Sequence, residues 1–427
     1  MKNAARFLLS EPPDQLAQLG ALLVDRQDEL ALAAEQVEAV LADRLDRPLA
    51  LVGLARVGKS HLLGTLAGRL AGRFDAVVNL RVSTGLSDGR DIHRAMLLQT
   101  HSAITLAALE AGLGGGGGQW PLAPLDAVMA TYGEAIDGTA TELDVQQTRE
   151  TTVRLQSARS LTAGLPAVLS LLGMGSLGGT RERHQESGSS AGRTVSVRPF
   201  GESVLAELVG MAHALVAEAK PSWRTLMVVD DFDLMRRADD GSFQPDRLVQ
   251  SLAMLAGIPG LHVLTTVRDD TYRRHGKAFH LLALVKPFAD DTLLVEVYRR
   301  HVELFYDDED PFGSEFVGEA ARRSEGRIGV FLDILRDAFT LVPATRRHTL
   351  HLADWVRGEW AELAGAEPGL AAHIVGAAQR SGGIIEHDAY ALLRGTSLMR
   401  WILEDYTSES AARVHPVLLS LLREGTE

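Results

Sequence analysis

The chain has no cysteine. That removes disulfides, thiolate nucleophiles and every cysteine-based zinc or iron–sulfur site, and it fits a reducing cytoplasm. Long unbroken apolar runs are missing too. The nearest, Leu161 to Gly179, is uncharged for 19 residues, close to the ~20 that span a bilayer. Pro166 and the glycines at 164, 173, 175, 178 and 179 interrupt it. It is therefore expected as an apolar hairpin or loop packed on protein, and no membrane partner is expected. Met1 to Gln15 carries acidic and proline residues where a secretion signal needs an apolar run behind a basic start, so a cytoplasmic location is expected. There is no basic surplus: 43 basic against 56 acidic residues leave −13. The chain as a whole repels phosphate backbones and anionic lipid unless a local basic patch overrides. With no G-X-Y period, sustained heptads or long polar tract, collagen, rods and wholesale disorder are excluded.

What is present is globular: 427 residues, 46% hydrophobic and 23% charged, enough for two or three domains. Pro48 to Val52 is a short apolar run. Gly53-Leu-Ala-Arg-Val-Gly58-Lys59-Ser60 follows, then Leu62, Leu63, Leu66 and Leu70 at helical spacing. Strand, glycine-bounded loop and helix are the context of a Walker A loop. Gly53 and Gly58 let the backbone curl so that successive N–H groups face a polyphosphate, and the helix adds its positive end. Lys59 would reach the β and γ phosphates and Ser60 would offer a hydroxyl to Mg²⁺. Arg56, Val57 and His61 complete the expected cofactor-binding segment. The chain holds five lysines against 38 arginines, and an ammonium at this position is not interchangeable with a guanidinium.

Thr225 to Val229 is an apolar, β-branched run ending in Asp230-Asp231, the pattern of a buried parallel strand delivering carboxylates at its C-terminal edge. Asp230 would hold Mg²⁺, and Asp231 would orient or deprotonate an attacking water. A third strand, Leu261 to Arg268, ends in two hydroxyls; Thr265 or Thr266 would sense the γ-phosphate, unless either is a plain strand-end threonine. No Asn-Lys-x-Asp segment is present, so ATP is preferred over GTP.

This order of parts resembles AAA+ ATPases, specifically the bacterial branch near the origin-recognition type and the STAND signalling NTPases. Val24-Asp25-Arg26-Gln-Asp-Glu29-Leu30 resembles the box those proteins carry before Walker A, with Asp25 where glycine is usual. The resemblance implies an N-terminal segment folded over the adenine side, with Arg26 at the cofactor. Leu281 to Pro287 resembles the fifth strand and Asp290 to Phe305 a lid helix. Ser324 to Leu332 resembles the sensor 2 turn, with Gly329 where the arginine is usual and Arg327 as the candidate, or else a solvated arginine at a helix start. A finger acting in trans would be Arg268, Arg273 or Arg274.

The resemblance implies an α/β fold: a P-loop AAA+ core with a parallel sheet over 23–285, a helical lid over 286–350 and a mainly helical winged-helix-like module over 351–427, after an N-terminal extension over 1–22. About 140 residues separate Val82 from Thr225, far more than a compact connection needs. An insertion at about 86–200 is expected, holding the glycine run 114–118, helical stretches over 124–136 and 146–157, and a short strand over 193–199. Gly173-Met-Gly175-Ser-Leu-Gly178 matches a dinucleotide pattern without its strand, so no dinucleotide site is expected there, and Gly188-Ser-Ser190-Ala-Gly192 matches a nucleophile elbow without its strand and reads as linker. His348 and His351 have no third ligand in sequence, so no metal beyond Mg²⁺ is expected. From His351 onward six arginines and no lysine face eleven acidic residues, a balance that favours protein contacts over DNA.

The expectation is a Mg²⁺-dependent ATPase switch whose nucleotide state controls homo-oligomerisation and engagement of a protein partner through the insertion or the C-terminal module. Two alternatives stay open: a DNA-binding loader or regulator, and a scaffold that barely hydrolyses.

Overall fold

The computed structural model describes residues 23–43, 46–81, 89–113, 121–123, 125–126, 142–144, 194–196, 202–232, 244–306, 310–380, 382–385, 401–403 and 412–424. The glycine run, the apolar stretch 161–179, both decoy motifs and the expected helices over 124–136 and 146–157 lie outside them, apart from residues 125 and 126.

In chain order the first elements are α1 (Gln27–Asp43), β1 (Leu49–Gly53), α2 (Lys59–Leu70), β2 (Ala76–Arg81) and α3 (Gly89–Glu110). Then come β3 (Glu142–Asp144), β4 (Thr194–Ser196), α4 (Glu202–Ala219), β5 (Thr225–Asp230), α5 (Gln244–Ala256), β6 (Leu261–Arg268), α6 (Asp269–His275) and β7 (His280–Val285). Helices follow: α7 (Asp291–Phe305), α8 (Ser314–Arg323), α9 (Ile328–Leu341), α10 (Ala344–Arg347), α11 (Leu352–Ala366) and α12 (Pro368–Arg380). The last elements are β8 (Ile384–Ile385), β9 (Ile402–Leu403), β10 (Ala412–Val414) and α13 (Pro416–Glu424).

The fold is α/β. Five strands form a parallel sheet in the order β2-β5-β6-β1-β7. β1 and β5 are buried along their whole length, as continuous apolar strands covered on both faces must be. Successive residues take opposite faces. Leu49, Leu51, Leu226 and Val228 join the core under α1 and α2, while Ala50, Val52, Met227 and Val229 join the one under α3, α4 and α5. The expected strand over 193–199 is β4, paired antiparallel with β3.

Beyond β7 the chain is mainly helical. Asp290 caps α7 by accepting from the Thr292 amide at 2.8 Å, which stops the chain from continuing as strand and starts the helix. A single apolar core then runs through α7, α8, α9, α11, α12 and α13 and includes Leu294, Phe331, Trp401 and Leu418. Trp401 meets Trp355 edge-on with ring centroids 5.3 Å apart. β8, β10 and β9 make a small antiparallel sheet, β10 in the middle. No described helix is long and apolar enough to cross a membrane.

Candidate functional site

β1 ends at Gly53 because nothing larger fits: a Cβ there would lie 2.2 Å from the Val285 carbonyl oxygen. The chain then turns through Arg56 and Gly58, both left-handed at φ 65° and 96°, and enters α2 with Gly58 as its N-cap. Left-handed residues near a helix start make a concave run of backbone amides, and the first turn's N–H groups have no partner within the helix. Ser60 and His61 stand in that first turn. Lys59, at 8% exposure, folds back over the loop and donates to the carbonyls of Gly53 (3.1 Å) and Leu54 (2.7 Å).

β6 lies between β1 and β5, so the loop and the acidic strand end stand roughly 10 Å apart, two strand spacings, on the same C-terminal edge. Thr266 joins them. Its hydroxyl donates to Asp230 Oδ1 at 2.6 Å and accepts from the Asp231 amide at 3.3 Å. Asp231 is left-handed, φ 59°, a conformation Asp tolerates better than most residues; the chain therefore leaves the strand immediately after Asp230. Thr265 does not join this group: its hydroxyl donates to the Val229 carbonyl at 2.7 Å, because alternate residues of β6 take opposite faces. Of the two threonines, only Thr266 stands with the carboxylates.

Arg26 is a strut instead of a free cation at the pocket. It is buried and donates to Glu29 (2.7 Å), the Val57 carbonyl (3.4 Å) and the Lys286 carbonyl (2.5 Å), and its guanidinium stacks 4.3 Å from the Phe288 ring. It ties the N-terminal segment to the loop and to the exit of β7. Asp25 adopts φ 47°, so the turn that glycine would favour is kept with aspartate.

The start of α9 seats on the loop. Gly329 N donates to the Arg56 carbonyl at 2.8 Å, and a Cβ on Gly329 would lie 2.8 Å from the Arg56 Cβ. That contact explains why no arginine stands at 329. Arg327, the N-cap of α9, is buried beside it, and Arg56 pairs with Asp333 of α9. Arg268 is 6% exposed and paired in register with Gly53, which removes it as a finger acting on a neighbouring chain. Arg273 is 80% exposed, bonded to Asp269 one turn earlier.

On α7, His301 is buried with Nδ1 2.8 Å from the Val297 carbonyl. Burial first, and the nearby His61 after it, bring its pKa down to about 4, against that backbone bond, so the ring is neutral. A carbonyl only accepts, so the proton is on Nδ1.

No protein-family model matches the chain, and no curated protein matches it. Among solved structures, the ORC1 protein of Aeropyrum pernix in complex with DNA aligns over 98% of this chain and 96% of that one, at 13% identity and a TM-score of 0.42. A likeness that distant carries no inference about activity or partners.

Among the described residues no cluster of three His, Asp or Glu side chains forms a metal site. The oxygens of Ser60 and Asp230 are hard donors, and they suit a magnesium ion that keeps most of its own water and substrate oxygens.

Proposed function

We propose that the chain is a magnesium-dependent ATP-binding and hydrolysing switch of the AAA+ kind, with a core over 23–285, a lid over 286–350 and a C-terminal module over 351–427. The observation that carries this reading is the Thr266 hydroxyl holding Asp230 and the Asp231 amide on the same sheet edge as the Lys59 loop.

In that reading the amides of the loop and of the α2 N-terminus receive the phosphates. Lys59 exchanges the Gly53 and Leu54 carbonyls for phosphate oxygens, and Ser60 and Asp230 hold Mg²⁺. The ion, when bound, neutralises charge on the β and γ phosphates. Asp231 accepts a proton from the water that attacks the γ-phosphorus; the bond to the bridging oxygen breaks, leaving ADP and phosphate. Thr266 holds the Asp230 carboxylate and the backbone amide of Asp231. The absence of an Asn-Lys-x-Asp segment supports adenine over guanine.

Arg56 links hydrolysis to shape, because it belongs to the loop yet is bonded to α9 through its carbonyl and its guanidinium. A loop that rearranges around a triphosphate moves the lid, and binding energy is available to shift assembly or partner contacts. Arg273 is the exposed candidate for a finger from a neighbouring copy. The net charge of −5 from His351 onward favours a protein partner over DNA.

Calorimetry with MgATP, turnover assays and light scattering test this. Wild type should bind MgATP and change mass between ATP and ADP; Lys59→Ala should lose binding. Asp231→Asn should keep binding and lose hydrolysis by about 10²-fold or more, the usual contribution of a general base. Absence of binding to the wild-type chain would sink the whole reading, and a constant mass would remove the assembly part.

A further inference from the structure

The packing runs straight through residue 350, where the sequence reading parts the lid from the C-terminal module. Tyr306, at the end of α7, meets Phe339 of α9 with ring centroids 5.7 Å apart, and Phe339 meets Phe312 at 6.5 Å. Phe312 meets Phe316 of α8 at 5.2 Å. Phe316 then meets Trp355 of α11 at 6.4 Å, and Trp355 meets Trp401 at 5.3 Å. Rings about 4.5–7 Å apart attract one another, so these six form an unbroken series whose crossing point is Phe316–Trp355. Phe316 and Leu352, the first residue of α11, are both buried in the one core that α7 to α13 share. Glu325, in the turn before α9, pairs with Arg413 of β10 at 3.2 Å across the same seam. Interiors of this kind are packed as densely as crystals and do not slide.

The junction with the parallel sheet is built differently. Between Val285 and Leu294 no apolar side chain is fully buried, and among the described residues before 286 only Val24 belongs to the helical core. The links are polar: Arg26 to the Lys286 carbonyl at 2.5 Å, Arg300 to the Leu23 carbonyl at 2.7 Å, and the Gly329 amide to the Arg56 carbonyl at 2.8 Å. Phe288 is gripped from both sides. The Arg26 guanidinium lies 4.3 Å from its ring, and its amide donates to the Gly326 carbonyl at 2.9 Å. Gly326 is left-handed, φ 70°, and a Cβ there would lie 2.1 Å from the Phe288 carbonyl oxygen. Polar seams allow domains to move against each other and large apolar ones hold them together; a hinge is a few residues that absorb the change.

We infer that residues 286–424 are one rigid body, hinged on the strap 286–290 with Phe288 as its pivot, and that no hinge stands at 350. The C-terminal module then turns with the lid. Arg56 of the loop pairs with Asp333 of α9, so a displacement of the loop reaches β10 and α13 without being lost at an intermediate joint. The single body stands on the packing alone; making nucleotide its driver rests on the reading of residues 53–60 as a phosphate cradle.

The full chain tests both parts, because it has no cysteine of its own and spin labels can be set at exposed positions on α3 (Leu106→Cys), α7 (Arg299→Cys) and α11 (Arg357→Cys). Between 299 and 357, pulsed dipolar spectroscopy should give the same narrow distance without nucleotide, with MgADP and with MgATP. Between 106 and 357 the distance should shift from MgADP to MgATP. A 299–357 distance that shifts or broadens would overturn the single body. A fixed 106–357 distance in a chain that binds nucleotide would overturn the hinge while the cradle stands. Amide hydrogen exchange in rising urea decides the single body with no nucleotide present, since a cooperative unit opens together. Amides of α7, α8 and α9 should lose protection at the same urea concentration as those of α11, α12 and α13; earlier loss in the latter group would overturn it. If no nucleotide binds, the cradle has failed, and the exchange result still decides whether 286–424 is one body.

Discussion

At the scale of single residues the site is governed by where side chains are forbidden. Gly53 and Gly329 are both in contact with backbone or Cβ atoms of partners that are themselves fixed, Val285 and Arg56. Adding a methyl at 329 requires α9 to move off the loop, since the clashing atoms are the Cβ, Cα and carbonyl oxygen of Arg56 at 2.8, 3.2 and 3.2 Å. Gly329→Ala should therefore weaken MgATP binding several-fold by calorimetry, while near-ultraviolet dichroism of the buried tryptophans stays native. An unchanged affinity would mean that the lid is not seated on the loop when nucleotide binds. The same scale explains two differences from the sequence reading. Thr265 and Thr266 are adjacent letters, yet the pleat sends one hydroxyl to Val229 and the other to Asp230. Arg26 has the charge of a phosphate ligand, yet its donors are engaged by Glu29 and two carbonyls.

Elements were legible where the signal is local. The strand bounded by Gly53, the strand ending at Asp230 and the helix entered through Asp290 each carry their own periodicity and punctuation over a few residues. Strand order was not, because nothing within β1 states that β6 and β7 flank it. That order places the Lys59 loop and Asp230 on one edge with Thr266 between. Its stability rests on buried interior strands such as β1. Leu51 is fully buried in the core under α1 and α2, and truncating such a leucine costs about 2–5 kcal/mol depending on how far the cavity collapses. Leu51→Ala should lower the urea midpoint correspondingly; a shift no larger than that of an exposed leucine such as Leu106 would contradict the assigned core.

For the whole molecule, buried histidines set the acid limit. Burial is the first cause that lowers His213, His262, His301 and His415, and His262 and His301 come down to about 4. In the unfolded chain each titrates near 6.5. The unfolded state then binds more protons below that value, so stability is fully present above pH ~6.5 and falls as pH drops toward 4. Thermal melts should show the midpoint falling across pH 6.5 to 4.5, before carboxylates dominate, and His262→Phe should flatten part of the slope. A midpoint constant over that window would show that these rings are not buried.

By itself the amino-acid sequence determined the glycine-bounded turn between strand and helix, the acidic strand end and the net charge, because each depends on residues within a turn or strand of one another, or on composition. Only the tertiary structure decided which threonine bonds Asp230, why glycine stands at 329, and that Arg26 is a strut. Those outcomes depend on contacts between segments tens to hundreds of residues apart. Packing and buried hydrogen-bond satisfaction select such contacts, and neither leaves a local pattern in the chain.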